Sequence, residues 1–373
     1  MGYARPFELE ASAPIARPTA VPAAADKLLG LELLRFLSAM AVLFWHYSHF
    51  GQMAGMQPIE RGAQPLHAPF ALFYDYGLYG VQVFWGISGY IFFWKYGAAI
   101  HDRAVASRDF FWLRFSRLYP LHIATLTAVI GLQAVHRQVA GENFIYPAQD
   151  PGLFVRQLLL ATDWGPQAPF NFNGPIWSIS AEVAVYAGFF LLLRRFAPSV
   201  QLCATVVVAS LGLQLAGFDW VSIACAAYFF AGGLAALMRR RSAWPAAFAL
   251  AALTVFCAAT GTVGDRDKLP MILLLAVPCL LILLSKDWPS LGRWQRQVQF
   301  AGNLTYSSYL LHFPLQISLG IAVAASGIIP PLTSPLFLLT YLGVTLGVAA
   351  LSYRWFELPA QRWIRRCMIK PAA

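Results

Sequence analysis

Ten apolar runs, each long enough to cross a bilayer, leave this chain almost no length from which to build a soluble domain. They lie near 29–50, 78–97, 117–136, 177–196, 201–218, 220–238, 244–262, 269–285, 301–325 and 335–356. With 58% hydrophobic and only 12% charged residues, a soluble fold could not hide the apolar surface. The expected fold is all-α: a polytopic membrane protein of about ten transmembrane helices, because a helix satisfies its own backbone in lipid. Charge tests the layout. With the N-terminus placed in the cytoplasm, 21 of the 27 Lys and Arg residues fall on that side, 5 fall opposite, and Arg35 lies within the first run. That bias predicts ten spans with both termini cytoplasmic. It also explains the net charge of +10 without a nucleic acid partner.

Residues 1–26, rich in Pro and Ala, read as a mobile tail without the apolar core or cleavage box of a signal peptide. The expected organisation is this tail, a membrane domain over 27–366 and a short tail over 367–373. Four of the five cysteines lie in apolar runs and none forms a CxxC, so neither a disulfide nor a metal site is expected.

The informative residues are polar groups inside the spans, where they are costly. Arg35 and His46 are eleven positions apart on the first run. A helix would place them on one face about 16 Å apart. An interfacial Arg and a polar terminal His would account for them equally. The second run carries Gly77, Gly80, Gly86, Ser88 and Gly89. Close packing against the first run is favoured there over ligand contact. Arg114 and Arg117 share a helix face and, with Arg108 and Lys95, form a cationic inner mouth. Lipid headgroups, orientation or a phosphorylated cytoplasmic ligand would each explain it.

Ser178, Glu182 and Tyr186 form one stripe at i, i+4 and i+8. A Glu182–His46 pair is the economical expectation, with Glu182 bonded to Ser and Tyr hydroxyls as the alternative. The ninth run brings Tyr306, Ser308, Tyr309 and His312 close to Pro314, which should break the helix. At the end of the chain, Arg354, Glu357 and Arg362 suggest an interfacial helix with Glu357 paired locally. The external loop 137–176 is rich in aromatics and amides and closes with Asn173 and Trp177. Those groups suit a sugar ring, or equally an interfacial aromatic belt.

No GxSxG, HExxH or Walker loop is present, nor a His followed by Asp five positions later. The ordered segments Arg35-x10-His46, VFWGISGY with Ser88, Arg114-x2-Arg117-x2-Pro120, WSISAEVAVY around Glu182, YSSYLLHFP around His312 and RWFELP around Glu357 resemble acyltransferase family 3. The resemblance runs from residue 27 to about 366. It implies an acyl-CoA donor, acetyl-CoA first, and a hydroxyl acceptor on a bacterial surface glycan or a lipid-linked glycan. It also implies residence in the bacterial inner membrane, and the soluble esterase-like domain of some members is not expected here.

On that basis Arg35, Arg114 and Arg117 would hold the donor. His46 would be the base, Glu182 its orienting carboxylate, and Tyr309 or Ser88 the oxyanion donor. His312, Trp177 and Asn173 would face the acceptor. Direct transfer and an acyl-His46 intermediate both remain open, as does assembly as a homo-oligomer or within a polysaccharide-synthesis complex. A secondary transporter or flippase is the main rival, though no repeat is evident. A non-catalytic scaffold is the second.

Overall fold

A computed structural model describes residues 28–53, 59–146, 150–166, 168–239, 241–262, 267–286 and 288–369. The expected tail over 1–26 lies outside the described residues. The described chain is helical, with no strand among its residues. Every one of the ten apolar runs carries a helix. These are α1 (Leu29–Trp45), α3 (Gly80–His101), α4 (Ser107–Ala140), α6 (Ile176–Arg195), α7 (Val200–Leu215), α8 (Val221–Met238), α9 (Trp244–Thr260), α10 (Leu269–Leu284), α12 (Gln295–Ser326) and α13 (Pro335–Ser352). Four shorter helices complete the set: α2 (His67–Tyr76), α5 (Pro151–Leu158), α11 (Pro289–Gly292) and α14 (Leu358–Met368). Six of the described helical segments are both long and apolar enough to span a bilayer by themselves. The protein is a multi-pass α-helical membrane protein.

Small residues set the closest approaches. Gly77 and Gly80 lie against the α1 carbonyls of Ala41 and Ser38, the contact expected for this run. Gly86 and Gly89 do not share it. Gly89 abuts the backbone of Phe229 on α8, and Gly232 of α8 abuts the carbonyl of Gly86. A Cβ at Gly89 or Gly232 would overlap backbone, so α3 and α8 cross at a distance only glycine permits. The expected packing against α1 is therefore corrected for Gly86, Gly89 and Ser88: the two glycines meet α8 and, at Gly86, Val277 of α10, while Ser88 faces Glu182 of α6.

A second correction concerns Pro314. Helix α12 runs unbroken through it. Leu310, Phe313 and Pro314 are all buried, so packing against α1 and α4 holds the turn that the missing amide would otherwise loosen. The α-helix of the first run ends at Trp45, and His46–Gln52 continues as a tighter 3₁₀ turn. Buried aromatics including Phe92, Phe189 and Phe229 fill the core around α3, α6 and α8. A second cluster around Tyr47, Phe50, Phe313 and Tyr341 packs beyond His46.

Candidate active site

A cavity of ≈ 450 Å³ opens between α1, α3, α4, α6, α12 and the C-terminal segment. Its walls carry five cations, Arg35, Lys95, Arg114, Arg117 and Arg365, against two carboxylates, Glu32 and Glu182. Arg35 on α1 donates to Glu32 Oε2 at 3.1 Å and to Thr305 Oγ1 at 3.2 Å. Arg114 on α4 donates to the Tyr96 hydroxyl at 3.1 Å and lies over the rings of Phe92 and Tyr96. Such stacking holds a guanidinium in place without neutralising it.

Arg117, one turn further along α4, is committed differently. It faces the buried Glu357 at 3.6 Å and sits over the Tyr306 ring. The Glu357 carboxylate also accepts from Ser307 Oγ of α12 and from Ser352 Oγ at 3.3 Å. Glu357 occupies a π-helical turn, Tyr353–Glu357, that aims it inward. The expectation of a locally paired Glu357 is corrected, since its partners come mainly from α4 and α12.

The stripe read on the fourth run faces the cavity as predicted by its spacing. Ser178, Glu182 and Tyr186 all line it, as does Ser88 from α3. The hydroxyls of Ser88 and Tyr186 face the Glu182 carboxyl, while its buried Oε1 hydrogen-bonds nothing among the described residues. Tyr309 of α12 closes this end, sharing a 2.7 Å hydrogen bond with Ser178 Oγ and donating to the Pro175 carbonyl at 3.1 Å.

His46 stands apart from that wall and makes no hydrogen bond to Glu182, which corrects the expected pair. Its Nδ1 lies 2.8 Å from the Val42 carbonyl. A carbonyl only accepts, so Nδ1 carries the proton and Nε2 is left with its lone pair. The carbonyl thus does the orienting work expected of Glu182. The geometric reason is the helix end: the 3₁₀ turn at His46 folds the imidazole back along its own helix.

His312 repeats the arrangement, its Nδ1 2.8 Å from the Tyr309 carbonyl and its buried Nε2 unpartnered. The two rings lie 4.8 Å apart. His49, which sequence reasoning did not single out as a site residue, packs 4.9 Å from His46 and bonds Gln316 Oε1 at 3.1 Å. Gln316 Nε2 in turn donates to the His46 carbonyl at 2.8 Å. The signal available was the HYSH spacing, which puts both imidazoles on one side of a single turn. Tyr309 therefore separates the cationic cavity from the imidazoles, touching both.

Asn173 and Trp177 take other places. Asn173 is fully buried, donating to Thr125 Oγ1 at 2.9 Å and accepting from Gln157 at 3.2 Å. Trp177 packs edge-on against Trp85. The described residues of the loop over 141–175 bond α4 and one another. Gln133 of α4 forms a reciprocal pair with the Phe144 backbone at 2.9 and 2.8 Å, and Gln157 also donates to the Asn171 carbonyl. These bonds serve loop backbone and one end of each amide, while Gln157 Oε1, Asn171 Oδ1 and Asn173 Oδ1 are buried without a partner among the described residues. Trp164 and Phe170 are its exposed aromatics. Burial raises the Asp163 carboxyl in this loop above the ordinary range.

Arg365 and Gln361 are among the lining residues that sequence reasoning missed. The only hint was the amphipathic alternation of α14.

A multi-helix membrane protein with a cationic cavity leading to paired imidazoles is the class these features define. Residues 28–354 match the acyltransferase domain of acyltransferase family 3, and the chain belongs to that family. It is similar to the acyltransferase MdmB of Streptomyces mycarofaciens, 31% identical over 179 residues, which is 47% of this chain and 41% of that relative. The chain thus matches less than half the length of that relative. No solved structure matches it significantly.

Proposed function

We propose that this protein is an enzyme of the bacterial inner membrane that moves an acyl group, acetyl first, from acyl-CoA to a hydroxyl of an exopolysaccharide or other surface glycan. Family membership and the name of the MdmB relative support acyl transfer. The observation that carries the reading is the cavity itself. It is cationic at one end, and at the other it stops against a tyrosine backed by two imidazoles with free Nε2 lone pairs.

In this reading the donor's phosphates rest among the cations and its pantetheine arm lies along Ile87, Ile91 and Phe84. The thioester then reaches Tyr309. The acceptor hydroxyl approaches from the imidazole side. His46 Nε2 takes its proton as the new C–O bond forms. The Tyr309 and Ser178 hydroxyls stabilise the oxyanion. The C–S bond then breaks, and the thiolate leaves with the proton returned from His46. Glu182 fixes Ser88 and Tyr186 in the wall beside the thioester. An acyl-His46 intermediate would use the same groups.

The test is thiol release from acetyl-CoA by purified protein supplied with a bacterial glycan, followed by mass spectrometry of that glycan. Acetyl gain on the glycan is the expected result. Intact acetyl-CoA and unmodified glycan after long incubation would refute the reading.

A further inference from the structure

We propose that α14 completes a diphosphate-binding subsite: Gln361 and Arg365, with Lys95 of α3 and Arg114 of α4, grip a polyphosphate group at the mouth of the cavity. The identity of the natural ligand rests on the acyl-CoA reading, whereas the subsite itself rests on charge and hydrogen-bond accounting. Of the five cations in the walls, Arg35 and Arg117 have carboxylates of their own, Glu32 and Glu357. Lys95, Arg114 and Arg365 have none within 4 Å among the described residues. Uncompensated cations gathered in a low-dielectric cavity repel one another, and a bound polyanion removes that penalty.

Each of the three is held by a neutral partner that leaves its charge free. Arg114 has the Tyr96 hydroxyl and the Phe92 ring, and Lys95 lies 5.5 Å from the Trp94 ring centre. Arg365 donates from Nε to Ser116 Oγ at 3.1 Å and from Nη2 to Gln361 Oε1 at 3.4 Å. Gln361 supplies the second, independent sign. It is 7% exposed, it lines the cavity, and its Nε2 donates to nothing among the described residues. A buried donor without an acceptor is unfavourable unless a ligand supplies one. Its Oε1 already serves Arg365, so the amide is oriented with its donor available. The residues of α14 lie beyond position 354, where the family match ends.

The experiment uses the full-length protein in a phosphate-free maltoside detergent. Inorganic pyrophosphate and CoA are the probes, titrated by calorimetry at low and high salt. Wild type should bind both, more weakly at high salt. Arg365→Gln and Gln361→Ala should each weaken both by about tenfold or more. Arg365→Lys should recover part of the loss. Because Arg365 also ties α14 to Ser116, Lys95→Gln is the second variant. Lys95 makes no hydrogen bond or ion pair among the described residues, so this change should lower affinity while leaving the melting temperature unchanged.

Pyrophosphate binding with no CoA binding would leave the subsite standing and remove the acyl-CoA reading. CoA affinity within twofold of wild type in all three charge-removing or amide-removing variants would overturn the subsite while sparing that reading. Absence of pyrophosphate and CoA binding in wild type would overturn both. Displacement of pyrophosphate by added phosphatidylglycerol, with CoA unable to displace it, would reassign the site to a lipid headgroup and overturn the proposal.

Discussion

His46 owes its expected role to one backbone carbonyl. With Nδ1–H directed at Val42, the Nε2 lone pair is the only basic position the ring can offer. His46→Ala should therefore lower acyl transfer by about 10²–10⁴-fold while the protein still inserts and purifies as a monodisperse species. Retention of more than half the wild-type rate would remove His46 from the mechanism. Glu182 makes a separate prediction. Its carboxyl faces Ser88 and Tyr186 and not His46. Glu182→Gln should slow the reaction yet leave the inflection of the pH–rate profile where it is. A moved inflection would mean that the carboxylate and the imidazole are coupled after all.

Two neighbouring arginines on α4 illustrate how an element divides labour. Arg114 is stacked on aromatics and open to the cavity, whereas Arg117 is tied to Glu357. Arg114→Ala should weaken CoA binding with little change in melting temperature. Arg117→Ala strands a carboxylate that is 2% exposed, and loss of one partner from such a pair typically costs about 3–5 kcal/mol. Thermal unfolding should separate the two variants. Equal melting temperatures would show that the Arg117–Glu357 pair bears no structural load. The α3–α8 crossing makes a comparable demand, because Gly232→Leu pushes a side chain into the Gly86 carbonyl. Detergent-solubilised Gly232→Leu should aggregate on size exclusion where wild type does not, and a normal elution profile would contradict the close crossing.

At the scale of the whole molecule, the cavity's five cations mark a basic end, while the imidazoles lie beyond Tyr309. If the basic end is cytoplasmic, donor and acceptor meet from opposite sides. Acetyl-CoA added to sealed inside-out vesicles should then label glycan enclosed in the lumen. Sealed right-side-out vesicles given the same donor should show none. Labelling of equal extent in both orientations would count against the sidedness, and labelling of inside-out vesicles devoid of glycan would point to a lipid-linked acceptor.

Hydropathy alone located ten helices, because the cost of unpaired backbone in lipid leaves a run of that length no other local structure, although their ends, as at Ser107 of α4, lie up to about ten residues outside the runs. The stripe Ser178–Glu182–Tyr186 was legible for the same reason, since helical periodicity fixes which residues share a face. Partnership across helices was not legible. Spacing could place His46 and Glu182 at similar depth, but whether they meet depends on how α1 ends and which side of α6 faces it, and the 3₁₀ turn at His46 decides the first. The same limit hid Arg365, His49 and the Arg117–Glu357 pair, whose meaning comes from neighbours far along the chain. It also left open what the amides of the 137–176 loop face: Asn173 reaches Thr125 of α4, while the Oδ1 atoms of Asn171 and Asn173 have no partner among the described residues. A sequence of this kind determines its helices through the solvent, whereas the site is decided by packing between helices that the solvent treats alike.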